Sequence, residues 1–140
     1  MKIDKLYSKV EPEKILHIIC RNSDTEYSRI DVVDDKEFLQ LAILKLHKGK
    51  TFKAHKHIFK EVPNNSIAQE SWFVSKGKVR ATLYDLDDTI LSEEILEAGD
   101  CSITLYGGHN YEILEDDTQV FEYKTGPYYG QALDKEFVDD

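Results

Sequence analysis

Gly49-Lys-Thr-Phe-Lys-Ala-His55-Lys-His57 and Glu70-Ser-Trp-Phe-Val-Ser-Lys-Gly77 bracket an excursion over 58–69, and the reading of this stretch decides the fold. Side chains on a β-strand alternate between faces, so residues two apart point the same way. A strand through 51–57 therefore projects His55 and His57 onto one surface. Each neutral imidazole offers one nitrogen lone pair, and two on one surface suit a first-row transition metal. Glu70 opens the next apolar run and adds an oxygen donor. A fourth candidate, His109, follows Gly107-Gly108 and precedes Tyr111-Glu112-Ile113-Leu114.

Working outward, short apolar runs recur at 15–20, 29–33, 38–46, 71–75, 79–86, 89–96, 101–106, 111–114 and 119–124. Turn residues separate most of them, such as Lys48-Gly49-Lys50, Asp87-Asp88, Ala98-Gly99-Asp100 and Glu115-Asp116-Asp117. Even spacing with turn signals between runs is the signature of an antiparallel sandwich or barrel. Pro12 also permits a short helix over 15–20, although the β-branched residues favour a strand. The run 38–46 is long enough for a helix, but the turn after it argues for a hairpin. Residues 1–13 read as a polar lead-in and 125–140 as a surface tail. The tail's Tyr128 and Tyr129 would pack on the barrel wall or cover a pocket mouth.

The quoted residues resemble the cupin family. Its first motif is a glycine, five residues, His-x-His, a short gap, then Glu, six residues and Gly. Gly49 stands at that distance before His55 and His57, and Glu70 at that distance before Gly77. The second motif, a glycine, an apolar run, a turn and a histidine, matches Gly99 to His109. The sequence departs from the pattern in three places. The gap between His57 and Glu70 is twelve residues, and Glu61 sits at the short family spacing. The second motif lacks the family's proline and its later asparagine, where Ile113 stands. Two acids therefore compete for one role, and the distance to Gly77 favours Glu70.

The resemblance implies an all-β jelly-roll barrel, the double-stranded β-helix, as one domain over 1–140. N-terminal strands forming an arm would span 1–37, the barrel core 38–124 and the tail 125–140. It further implies one divalent ion (iron, manganese, nickel or zinc) held by His55, His57, Glu70 and His109. His-x-His alone is also compatible with an outward, solvated pair; Glu70 and His109 at their spacings argue for a shared site. Strand parity then places Trp72 and Val74 with Glu70, Tyr111 and Ile113 with His109, and Lys53 with the paired histidines. Trp72, Tyr111 and Lys53 are the candidate substrate contacts, an aromatic wall with a cation at the mouth. His17 and His47 have no such partners. The resemblance also implies a homodimer, with the run 15–20 at the contact.

Three functions stay open: a metal-dependent isomerase, epimerase or oxygenase acting on a sugar or organic acid; a metal-independent nucleotide-sugar ketoisomerase or epimerase; and a non-catalytic binding module. The stretch 49–57, with the strand opening Gly77-Lys78-Val79, is loosely similar to sugar ketoisomerases. No phosphate-cradling glycine loop and no nucleophile motif is present.

Bulk properties narrow the partners. With 18 basic and 27 acidic residues the net charge is −9, which argues against nucleic acid and anionic membranes. No run approaches the roughly 18 apolar residues of a membrane span. Cys20 and Cys101 are too few for a disulfide scaffold, and their apolar surroundings predict free, buried thiols. These features predict a cytoplasmic protein binding a small polar molecule.

Overall fold

The computed structural model describes residues 1–23, 26–60 and 66–139. The first strands among them are β1 (Lys2–Tyr7), β2 (Ile15–Arg21), β3 (Arg29–Asp31) and β4 (Leu39–Leu46). Next come β5 (His55–His57), β6 (Phe59–Lys60), β7 (Ser66–Ile67), β8 (Glu70–Lys76) and β9 (Lys78–Tyr84). The chain continues through β10 (Ile90–Glu97), β11 (Cys101–Thr104), β12 (Gly108–Ile113) and β13 (Thr118–Thr125). A single helical turn, α1 (Gln131–Asp134), leads into β14 (Lys135–Phe137).

Two antiparallel five-stranded sheets face each other, ordered β10-β9-β12-β5-β14 and β11-β8-β13-β4-β3. Consecutive strands β8 and β9 lie in opposite sheets, so the chain turns the barrel corner at Gly77. Gly77 has φ +90°, and a Cβ there would lie 2.8 Å from Thr118 Cα. Only glycine meets both demands. This corner anchors one end of β8, and Glu70 stands at the other.

Period-two burial stacks the interior into layers. Cross-strand pairs Val74–Val120, Val120–Leu44 and Ile113–Val79 form an apolar floor. One step along each strand come Trp72–Glu122, Glu122–Ala42 and Tyr111–Ala81. The next step brings Glu70–Lys124, Lys124–Gln40 and His109–Leu83. The barrel thus changes from hydrocarbon to charge along its own strands, and the charged end holds the site.

Several expectations need correction. The lead-in 1–13 contains β1, which pairs with β2 in a separate two-stranded sheet. The tail is no mere surface segment. Its β14 pairs with β5, and Asp134 and Val138 are buried. Cys101 is exposed and Cys20 only partly buried. Cys101 pairs with Phe73, which alternates outward from Trp72, so the thiol lies on the outer face. Among the described residues no helix is long and apolar enough to cross a membrane.

Candidate metal centre

Strand β5 carries His55 and His57, and β12 sets His109 directly opposite His55. Glu70 reaches in from the facing sheet. One donor atom from each of the four lies within 4.8 Å of all the others. The Glu70 Oε2 is 2.8 Å from His109 Nε2 and 3.3 Å from His57 Nε2. The His109 and His55 Nε2 atoms are 3.2 Å apart. His57, Glu70 and His109 are buried and His55 is half-buried.

The outer nitrogen of each ring has its own partner. His55 Nδ1 is 3.0 Å from the Lys53 carbonyl, and His57 Nδ1 is 3.0 Å from Asp134 Oδ2. Both partners only accept, so both rings carry a proton on Nδ1, which leaves Nε2 as the inward atom a metal ion would take. His109 Nδ1 is 2.8 Å from the Thr104 hydroxyl, which holds the third ring in the same orientation. Inward lone pairs crowded against a carboxylate repel one another unless a cation or protons sit between them. The donor set therefore fits a transition-metal ion bound through nitrogen and one oxygen.

Metal-free titration reflects this crowding. Burial, and then the neighbouring His109, push His55 down to about 4. Burial also opposes the charge on His57, but hydrogen bonds to Asp134 and Glu70 outweigh it and lift that ring to about 9. For Glu70 burial is again outweighed, here by His109 and His57, which hold the carboxyl well below its ordinary range.

A cavity of about 420 Å³ opens onto the cluster. Trp72 and Tyr111 line it, their rings stacked on each other at 3.9 Å and 4°. The faces expected to receive a ligand are thus partly used within the wall. Lys53 is exposed and absent from the lining, with its ammonium 4.1 Å from the Phe137 ring centroid. The cavity's cations are Arg29, Lys124 and Lys135. Glu122 also lines it, accepting from the Trp72 indole at 2.8 Å, with Arg29 at 3.6 Å. Burial, and then the charge on Glu70, lift Glu122 to about 7. Glu61, the competing acid, lies outside the described residues, and His17 and His47 lie outside the cluster.

This architecture is the cupin fold, a double-stranded β-helix enclosing a possible three-histidine, one-glutamate metal site. An uncharacterized conserved protein with a double-stranded β-helix domain from Klebsiella pneumoniae is similar in structure. That match covers 86% of this chain and 90% of the other at 16% identity, with TM-score 0.58. KdgF from Halomonas sp. matches over 74% of this chain and 84% of its own, at 19% identity and TM-score 0.55. Oxalate decarboxylase from Bacillus subtilis matches over 79% of this chain but 27% of its own, at 16% identity and TM-score 0.59. No family model and no curated protein matches the sequence.

Proposed function

We propose that the protein is a metal-dependent enzyme acting on a small polar molecule, a sugar or an organic acid, inside the barrel. The carrying observation is the convergence of three imidazole nitrogens and one carboxylate oxygen at a cavity large enough for such a molecule. Four protein donors leave open positions on a six-coordinate ion, and an open position separates a catalytic site from a structural one. The donors suit divalent iron, manganese, nickel or zinc. Such an ion, when bound, polarises a substrate oxygen or activates water or dioxygen.

The chain's own side chains supply the rest. Trp72 and Tyr111 keep the inner wall apolar. Glu122, with a pKa of about 7, holds or releases a proton near neutrality. Lys135 lines the cavity with no carboxylate within 4.0 Å among the described residues, and its charge suits an anionic substrate group. Oxalate decarboxylase, by its name, acts on a small organic acid, which supports that substrate class.

Elemental analysis of untagged protein, purified without chelators, tests the metal. A thermal-shift screen of metal-loaded protein against nucleotide sugars, free sugars and 2-oxo acids tests the ligand class. Protein that takes up no metal would shift the reading to acid–base chemistry by the His109–Glu70 pair. If no ligand raises the melting temperature, the binding-module or structural reading moves ahead. We also read the chain as a homodimer, because the β1–β2 hairpin stands apart from both main sheets with exposed apolar side chains.

A further inference from the structure

We infer that Asp134 is a positioning residue of the metal centre, and that segment 131–138 is through it a working part of that centre. This rests on the metal reading above. Asp134 ends α1 and is 0% exposed. Its Oδ2 accepts from His57 Nδ1 at 3.0 Å, with Lys124 Nζ 3.6 Å away. Its Oδ1 lies 3.3 Å from Lys60 Nζ, itself buried and donating to the Pro127 carbonyl at 2.8 Å.

Buried charges are costly, and apolar side chains would fill the same space at least as stably. Apolar filling would not orient a histidine. An acceptor-only carboxylate pins the His57 proton on Nδ1 and keeps the Nε2 lone pair aimed at the cluster, while raising the ring's strength as a ligand. The backbone repeats the link. β14 pairs with β5, with Lys135 opposite His57 and Phe137 opposite His55. Ile58 N–H donates to the Asp134 carbonyl at 2.9 Å, and Val138 N–H to the Ala54 carbonyl at 3.1 Å. Val138 packs against Gly108, next to His109, so closely that a Cβ on that glycine would come within 2.6 Å of it.

Asp134→Asn is the informative substitution. The carboxylate accepts one hydrogen bond, from His57, and faces two ammonium groups, and a neutral amide cannot answer all three. It therefore turns its NH₂ toward either Lys60 or His57. Co²⁺ titration, followed by the ion's visible absorption, should show affinity reduced about 10–100-fold, with the metal-free fold intact by circular dichroism. On a His57→Ala background Asp134→Asn should remove nothing further, because it acts through that ring. Val79→Ala loosens the apolar floor without touching the carboxylate or the segment. It should lower the metal-free melting temperature and leave Co²⁺ affinity near wild type. Should Asp134→Asn fail to fold, the wild type still decides: Co²⁺ should slow amide hydrogen exchange over 131–138. Unchanged affinity in Asp134→Asn, an equal loss on the His57→Ala background, or unchanged exchange over 131–138 would each overturn the assignment. A wild type that takes up no Co²⁺ fails earlier, and removes the metal reading together with this one.

Discussion

Glu70 and His109 meet from opposite sheets, with Oε2 2.8 Å from Nε2. A carboxylate that close to a ring nitrogen shares either a proton or a metal ion with it. Glu70→Gln separates the two, since an amide is a poor metal ligand but still forms hydrogen bonds. Outer-sphere changes already cost 10–100-fold, so loss of this ligand should weaken metal binding by more than about 100-fold. Glu61→Gln should leave metal uptake at the wild-type level. Calorimetric titration of both variants checks this, and the reverse outcome would move the acidic ligand to Glu61.

The pH dependence of stability follows from three groups. Between 6.5 and about 9, folded His57 holds a proton that the unfolded chain has released. Its contribution is full below 6.5 and is lost as pH rises through about 9, on the order of 3 kcal/mol in all. His55, depressed from 6.5 to about 4, acts in the opposite sense, contributing above 6.5 and losing that as pH falls through 4. Glu122, raised from 4.5 to about 7, contributes most below 4.5 and loses it as pH rises through 7. The last two oppose each other between 4.5 and 6.5. The metal-free melting temperature should therefore be flat near pH 5–6.5 and fall toward pH 9. With metal bound His57 is a neutral ligand, so that fall should disappear and metal affinity should rise with pH. Melting curves with and without chelator test both statements, and a metal-free protein that gains stability between pH 7 and 9 contradicts them.

Much of this site was legible because its strands are buried on one face. Glu70, Trp72 and Val74 alternate inward, as do His109, Tyr111 and Ile113, and the parity survives in the folded chain. The same rule failed at Lys53 for a definable reason. Only His55–His57 is strand there, so parity cannot be carried back two residues. What Lys53 gives the site is its carbonyl. Glu122 and Lys124 share the inward parity of Val120, and that signal was present in the sequence. Charged residues at those positions resemble a solvated face until the neighbouring strands are known. Asp134 carried no local signal, because its partner His57 lies 77 residues away and nothing near Gln131-Ala-Leu-Asp announces the pairing.

The exchange of Lys53 for Lys135 changes the expectation for ligands. A carboxylate-bearing ligand such as a 2-oxo acid should depend on the cation that lines the cavity. Lys135→Met should weaken it about 10–100-fold, the range for a hydrogen bond to a charged group, while Lys53→Glu has little effect. A neutral sugar should be insensitive to both. Thermal-shift dose curves on metal-loaded protein make the comparison. Sensitivity to Lys53 instead would place the anion on the outer lysine cluster.

Assembly rests on the hairpin. Leu6, Ile15, Leu16 and Ile19 are 47%, 40%, 51% and 38% exposed in a two-stranded sheet of their own. Full burial of such side chains contributes about 1.5–3 kcal/mol each, and a hairpin alone is marginal in water, so a second copy covering these faces would stabilise both chains. Sedimentation at micromolar concentration should give a dimer. Leu16→Glu with Ile19→Glu should shift it to monomer. Metal content should not change, because the hairpin carries none of the four ligand candidates. A wild type that sediments only as monomer removes the dimer. A dimer that survives the double substitution places the contact elsewhere on the barrel.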